Sequence, residues 1–267
     1  MRVTIGVDVG GTKIDFGAVD ETGTLLKTLR VLTKVSFGPK AVIEQIVQGI
    51  KELSIPFDAI GVGIAGQVNR SGVVTFSPNL FWEDVPLKQE LVKIFSKPTV
   101  VVNDVRAAAF AEWRFGESQG CQNLLCVIVG TGIGGAAVLE GKLIYGANDS
   151  ALEVGHMQID PNGPLCTCGS RGCFEAFVGG WALKKNLRED AEVFDLFVRG
   201  FVSLVNIFNP QRLILGGGVI QGLPQMIEVI RKGIKEKALK SARGVEVLPL
   251  SLPYPTLLGA AFIENHD

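Results

Sequence analysis

The sequence predicts an α/β protein with an internal duplication, and three observations lead to it. Two segments about half a chain apart follow one plan of strand, glycine turn, strand, turn, strand: residues 3–29, around Gly10 and Gly11, and residues 123–145, around Gly130 to Gly135. Segments with helical spacing alternate with further β-branched runs elsewhere in the chain. Glycine is abundant at 33 residues and aromatics sparse at 7%, which suits many tight turns near ligands. Two such glycine-turned units facing each other would clamp a polyphosphate between two domains.

In chain order, residues 3–7 read as a strand that runs into Asp8-Val9-Gly10-Gly11-Thr12-Lys13, and 14–19 and 24–29 complete a meander. This is not a Walker A loop, because the Gly/Lys spacing is wrong and a strand follows rather than a helix. The backbone N–H groups of a tight hairpin, with a Thr hydroxyl, can still bind phosphate as a small anion nest. Residues 39–53 carry helical spacing and stop at Pro56. Strands are expected at 59–64 and 72–76, a helix at 86–95, a buried strand at 99–102 ending in Asn103-Asp104, and a helix at 107–113. Residues 123–129 lead into Gly130-Thr131-Gly132-Ile133-Gly134-Gly135, a literal G-x-G-x-x-G. A dinucleotide fingerprint needs a helix directly after the glycines, and this continuation breaks at Gly141 and reads as a hairpin over 136–139 and 142–145. Residues 194–208 are helical and end before Pro210; 212–215 is a strand reaching Gly216-Gly217-Gly218, then come a helix over 224–239, a strand over 245–250 and a helix over 256–264. The glycine run after 215 reads on its own as a plain tight turn, able to bring backbone close to a flat ligand such as a nucleobase.

The stretch from Glu153 to Glu175 holds one of two histidines and three of five cysteines. His156 with Cys166, Cys168 and Cys173 is a Cys3His set, a composition of closed tetrahedral zinc sites. Pro161, Gly163, Pro164, Gly169 and Gly172 let the backbone wrap round one ion. Buried structural cysteines and disulfide partners are the competing readings. Clustering in a polar Gly/Pro loop opposes the first, and the lack of a signal peptide opposes the second. Four protein ligands leave no open position for a catalytic water, so the zinc would be structural, holding Glu153 and Glu175 on its flanks.

At 267 residues, with 47% hydrophobic and 20% charged residues, the chain can bury a substantial core in two domains. A net charge of −1 gives no footprint for nucleic acid or an anionic membrane, and no apolar run is long enough to span a bilayer. With thiols expected to stay reduced, a cytoplasmic protein is expected.

The order DVGGTK, SPNL, NDVRAAA, GTGIGG, EVGH, CTCGSRGC-FE and LILGGGV resembles the ROK family of sugar kinases across nearly the whole chain. The zinc signature Glu-x-Gly-His followed by Cys-x-Cys-Gly-x-x-Gly-Cys-x-Glu is its most specific part. The resemblance implies the actin-like ATPase/hexokinase, ribonuclease H-like fold. A smaller domain would span 1–107, joined by the C-terminal helix 256–267, and a larger one 108–255, with ATP and sugar in the cleft between them. Asp104, which alone reads as a helix N-cap, would be the general base. Asn79, Asn103, Asp104, Glu153, His156 and Glu175 would bind the sugar, although Glu175 also reads as a helix-start residue. Asp8, Gly10, Gly11, Thr12 and Lys13 would face the phosphates and Mg²⁺, Thr131 and Gly132 the phosphates from the other domain, and Gly217 and Gly218 the adenosine. His156 would spend its second ring nitrogen on the sugar.

The resemblance further implies ATP-dependent phosphorylation of a hexose, glucose on its 6-hydroxyl first, and a homodimer. Kinases for fructose, allose or an N-acetylhexosamine, and non-enzymatic ROK sugar sensors, are the alternatives it leaves. This sequence departs from the family at Arg106, where an Asn is usual, and at Leu152, where a Gly is frequent. The segment from Glu175 to Phe194 is short, which points to a more open adenine pocket, weaker nucleotide affinity or a different donor.

Overall fold

The computed structural model describes residues 2–185 and 190–263. Its strands and helices, in order, are β1 (Val3–Val9), β2 (Lys13–Asp20), β3 (Leu25–Leu32), α1 (Gly38–Glu52), β4 (Ala59–Ile64), β5 (Gln67–Val68), β6 (Val74–Ser77), β7 (Trp82–Val85), α2 (Leu87–Phe95), β8 (Thr99–Asn103) and α3 (Asp104–Arg114). There follow β9 (Leu124–Val129), β10 (Ile133–Leu139), β11 (Lys142–Leu143), α4 (Phe174–Val178), α5 (Gly180–Lys185), α6 (Asp190–Phe208), β12 (Arg212–Gly216), α7 (Gly218–Gly222), α8 (Gln225–Lys237), β13 (Glu246–Pro249) and α9 (Pro255–Phe262).

The expected duplication is visible in the pairing. One sheet runs β3-β2-β1-β4-β8 and the other β11-β10-β9-β12-β13. Each is an antiparallel three-strand meander continued by two parallel strands. Both glycine turns lie between the first two strands of their meander and lead into a strand, β2 or β10, not a helix. Neither the Walker A nor the dinucleotide geometry is therefore present at these turns.

The chain falls into two compact units. One comprises the chain to Gln119, Tyr145–Ala151 and the chain from Leu252; the other comprises Gly120–Ile144 and Leu152–Ser251. The first unit runs past residue 107, where the sequence reading ends its smaller domain. The reason is that α3 packs on α9 so closely that a Cβ on Gly259 would collide with the Ala107 carbonyl. Glycines also explain how α9 lies on the sheet. Gly17, Gly6 and Gly61 are paired in one row across β2, β1 and β4, and a side chain at Gly6 or Gly61 would strike α9 backbone. The opposite face of β1, with Ile5, Val7 and Val9, buries against α1 through Val42, Ile46 and Ile50.

Several elements escaped the sequence. The small sheet β5-β6-β7 contains two strands, β5 and β7, that the sequence reading leaves unassigned. α3 begins at Asp104 itself, and the Glu175–Phe194 stretch holds α4 and α5, with 186–189 outside the described residues. The helix expected over 256–264 is described as far as Phe262, and Glu264 lies outside the described residues. Among the described residues, no helix is long and apolar enough to cross a membrane.

Candidate active site and metal centre

In the first unit the site begins one row beyond the glycine row. Asp8 pairs with Asp15, and Asp15 with Arg30, in register across β1, β2 and β3, with Gly63 of β4 on the other side of Asp8. These residues are two positions on from Gly6 and Gly17, so they share that face of the sheet. Here α9 begins, and a Cβ on Gly63 would meet the Thr256 side chain. Asp15 is only 4% exposed. It binds Arg30 through two guanidinium nitrogens, Nε and Nη2, the latter at 3.0 Å, and Lys13 Nζ at 3.2 Å. Asp8 is crowded instead. Burial, Asp104 and Asp15 push its carboxyl up from 3.8 to about 7, against the opposing pull of Lys13 and Arg30. Three carboxylates thus share one corner, and a divalent cation is what relieves such repulsion.

The Gly10-Gly11-Thr12 turn is fastened from the residue that follows β3. Thr33 donates its hydroxyl to the Gly10 carbonyl at 2.7 Å and its amide to the Thr12 carbonyl at 3.0 Å. Gly11 leaves no room for a side chain, because a Cβ would stand 2.7 Å from the Asn79 carbonyl oxygen. That contact brings exposed Asn79 beside the turn.

β8 delivers Asn103 and Asp104 to the same corner. The helix cap is Asn103, whose Oδ1 accepts the Arg106 amide at 2.9 Å while its Nδ2 donates to the Gly66 carbonyl at 3.1 Å and to Asp104 Oδ1 at 3.0 Å. Asp104 is therefore not the cap but the first helical residue, with Oδ1 also accepting the Val105 amide at 2.9 Å. Arg106 is buried; it donates to the Asp149 carbonyl at 2.9 Å and lies 4.7 Å from the centre of the Tyr145 ring. Asp149 in turn accepts the Arg70 amide and side chain at 3.0 and 2.9 Å. Arg106 thus ties the 145–151 segment to α3.

In the second unit the Gly130-Thr131-Gly132 turn closes with the Gly130 amide on the Gly132 carbonyl at 2.9 Å. Thr131 is exposed. Glu175, 8% exposed, accepts the Ile133 amide at 2.7 Å on Oε2 and the Trp181 indole N–H at 3.1 Å on Oε1. Gly217, at φ +93°, caps α7, and a Cβ there would collide with the Val129 carbonyl. Gly218 faces open space. The sequence pointed to neither Asp15 with Arg30 nor Trp181. An aspartate between Ile14 and Phe16, inside the otherwise apolar run 14–19, was the available signal.

The cysteine loop is a compact knot. Glu153, exposed, precedes a single 3₁₀ turn, Val154–His156, and Leu152 before it stands at φ +71°, a conformation that explains a glycine there. Gly172, at φ +71°, lies against Asp160, where a Cβ would overlap the carbonyl oxygen. One ligand atom each from His156, Cys166, Cys168 and Cys173 lies within 4.8 Å of the others. His156 Nδ1 is 3.7 Å from Cys166 Sγ, and Cys168 Sγ is 3.6 Å from Cys173 Sγ. Bonds of about 2.3 Å in a tetrahedron separate ligand atoms by about 3.8 Å, so the donor set fits zinc in chemistry and spacing. The Ser170 backbone amide holds the Cys168 thiol down, whereas burial pushes that of Cys173 up. Cys173 stands at the N-cap position of α4, and Glu175 follows two residues later.

Comparison with known proteins follows this geometry. The ROK family model matches residues 4–200. A glucokinase of Streptomyces coelicolor is 34% identical over 88% of each chain. A xylose repressor of Bacillus subtilis is 29% identical, over 93% of this chain and 73% of the repressor. Among solved structures, a ROK glucokinase of Streptomyces griseus, in complex with glucose and AMPPNP, superposes with a TM-score of 0.83 at 32% identity, over 97% of this chain and 98% of that one. The paired sheets are therefore those of the actin-like ATPase/hexokinase fold. With its family match across most of its length, its glycine turns in matching sheet positions and its Cys3His knot, the chain belongs to the ROK family.

Proposed function

We propose that this chain transfers the γ-phosphoryl group of ATP to a hexose, glucose on its 6-hydroxyl first, with Asp104 as general base. The observation that carries the base is that Asn103 takes over the cap, so the Asp104 carboxylate is spared that role. Asp104 takes the proton from the attacking hydroxyl; Asn79, Asn103, Glu153 and Glu175 hold the other sugar hydroxyls. His156 keeps Nδ1 toward the thiols and offers Nε2 to the sugar. Lys13, with the Gly10-Gly11-Thr12 and Thr131-Gly132 amides, binds the phosphates, and Gly217-Gly218 lies under the adenosine. Mg²⁺ on Asp8 would neutralise phosphate charge, and zinc on His156, Cys166, Cys168 and Cys173 would make the knot rigid. Phosphoryl transfer depends mainly on positioning and charge neutralisation, which these residues supply. On the same reading the protein acts in the cytoplasm as a homodimer; a monomeric mass by light scattering at working concentration would overturn the dimer.

The test is ADP release with Mg-ATP against a panel of hexoses and N-acetylhexosamines, with Asp104→Ala as control. Turnover on one sugar that disappears in the variant supports the proposal. Sugar binding without turnover for any donor would replace it with a sugar sensor, the reading that the likeness to a repressor favours.

A further inference from the structure

We propose that Trp181 and Glu175 are positioning residues for the donor-phosphate turn of the second unit, carrying order from the cysteine knot into Gly130–Ile133. This rests on the kinase reading above. Glu175 is too thoroughly engaged to be only a sugar ligand: the Ile133 amide and the Trp181 indole each occupy one of its oxygens, at 2.7 and 3.1 Å. Three further features bind the turn to α4 and α5. The Gly180 amide donates to the Gly130 carbonyl at 2.9 Å, and the Trp181 amide to the Thr131 carbonyl at 3.0 Å. Neither Gly132 nor Gly180 has room for a side chain: the first would strike Glu175 Oε2, and the second would stand 2.5 Å from the Gly130 carbonyl oxygen.

The connection to the knot is equally short. Cys173 immediately precedes α4, and the Trp181 ring packs on the cluster of Cys166, Cys173 and Ala176. The ring that rests on the knot therefore donates to the carboxylate that holds the turn. Turn amides bind a phosphate well only when already aimed, since ordering them on binding costs affinity. With two of the turn's carbonyls and the amide of Ile133 committed to α4 and α5, the outward N–H groups are held in place. Glu175 thereby acts on the donor as well as on the sugar.

The experiment compares Trp181→Phe with the wild-type protein by amide hydrogen exchange over residues 130–134 and by steady-state kinetics. Phenylalanine keeps an aromatic ring on the knot, though a smaller one, and removes the indole donor. The expected result is faster exchange over 130–134 and a rise of about fivefold or more in KM for ATP, with KM for the sugar within twofold. Unchanged exchange, or equal rises in both KM values, would overturn the proposal. Should Trp181→Phe fail to fold, Gly132→Ala, which presses on Glu175 from the other side, is read by the same exchange. A wild-type protein that turns over no sugar would sink the kinase reading, while the exchange result would still decide whether Trp181 orders the turn.

Discussion

The two glycine turns occupy the same place in the same sheet topology, yet they are finished differently. The first is surrounded by charge: Asp8, Asp15, Lys13 and Arg30 lie on adjoining strands, with Asp15 holding both cations. Beside the second, the Glu175 carboxylate is spent on protein donors, the Ile133 amide and the Trp181 indole. A repeated backbone can thus be used once for electrostatics and once for alignment. Charge placed by a strand register needs no extra chain. Alignment needs a second structure to hold the turn, and here α4, rooted in the cysteine knot, supplies it.

The largest expected effect would come from removing the base. Asp104→Ala should lower kcat by about 10²–10⁴-fold while leaving sugar binding measurable by calorimetry; retained turnover would take Asp104 out of the chemistry. Next is the knot. Structural zinc sites in small peptides are worth roughly 10–16 kcal/mol, comparable to a whole domain's stability of about 5–15 kcal/mol. A strong chelator, or Cys173→Ser, should lower the melting temperature and loosen residues 130–134 while the Gly10–Lys13 turn keeps its exchange protection. Equal loosening of both turns would erase the contrast between them.

A smaller effect concerns Asp8. Its carboxyl is raised from 3.8 to about 7 in the folded chain, chiefly by burial and then by Asp104. The folded chain therefore holds a proton that the unfolded chain releases between those values, and stability falls as pH rises through that window. Without magnesium, Asp8→Asn should melt like the wild type near pH 4 and several degrees above it at pH 8. Parallel melting curves across pH would show that the first turn is not electrostatically strained. The smallest effect is at the cap: Asn103→Ala should cost about 1 kcal/mol in denaturant unfolding, and no cost would mean that the α3 amides find another partner.

Much of this was legible because local rules sufficed. Gly11 and Gly217 sit where a side chain would strike backbone, Gly217 also at positive φ, and the strands and long helices follow their apolar periods. The knot was readable because its ligands lie within twenty residues of one another. The division of labour at Asn103-Asp104 was not, since either residue caps equally well in isolation; the Gly66 carbonyl beside Asn103 decides it. β5 and β7 were missed because short edge strands carry little period.

By itself, then, the sequence determined the duplicated meanders, the Cys3His set and the family, all of which rest on residues near one another or on spacings that survive in one dimension. Only the tertiary structure decided that Asp15 faces Arg30, that α9 lies on a row of glycines, and that Glu175 reaches the Ile133 amide. Those pairings depend on register and helix placement. Both are set by burial summed over a whole unit, which no local stretch of sequence encodes.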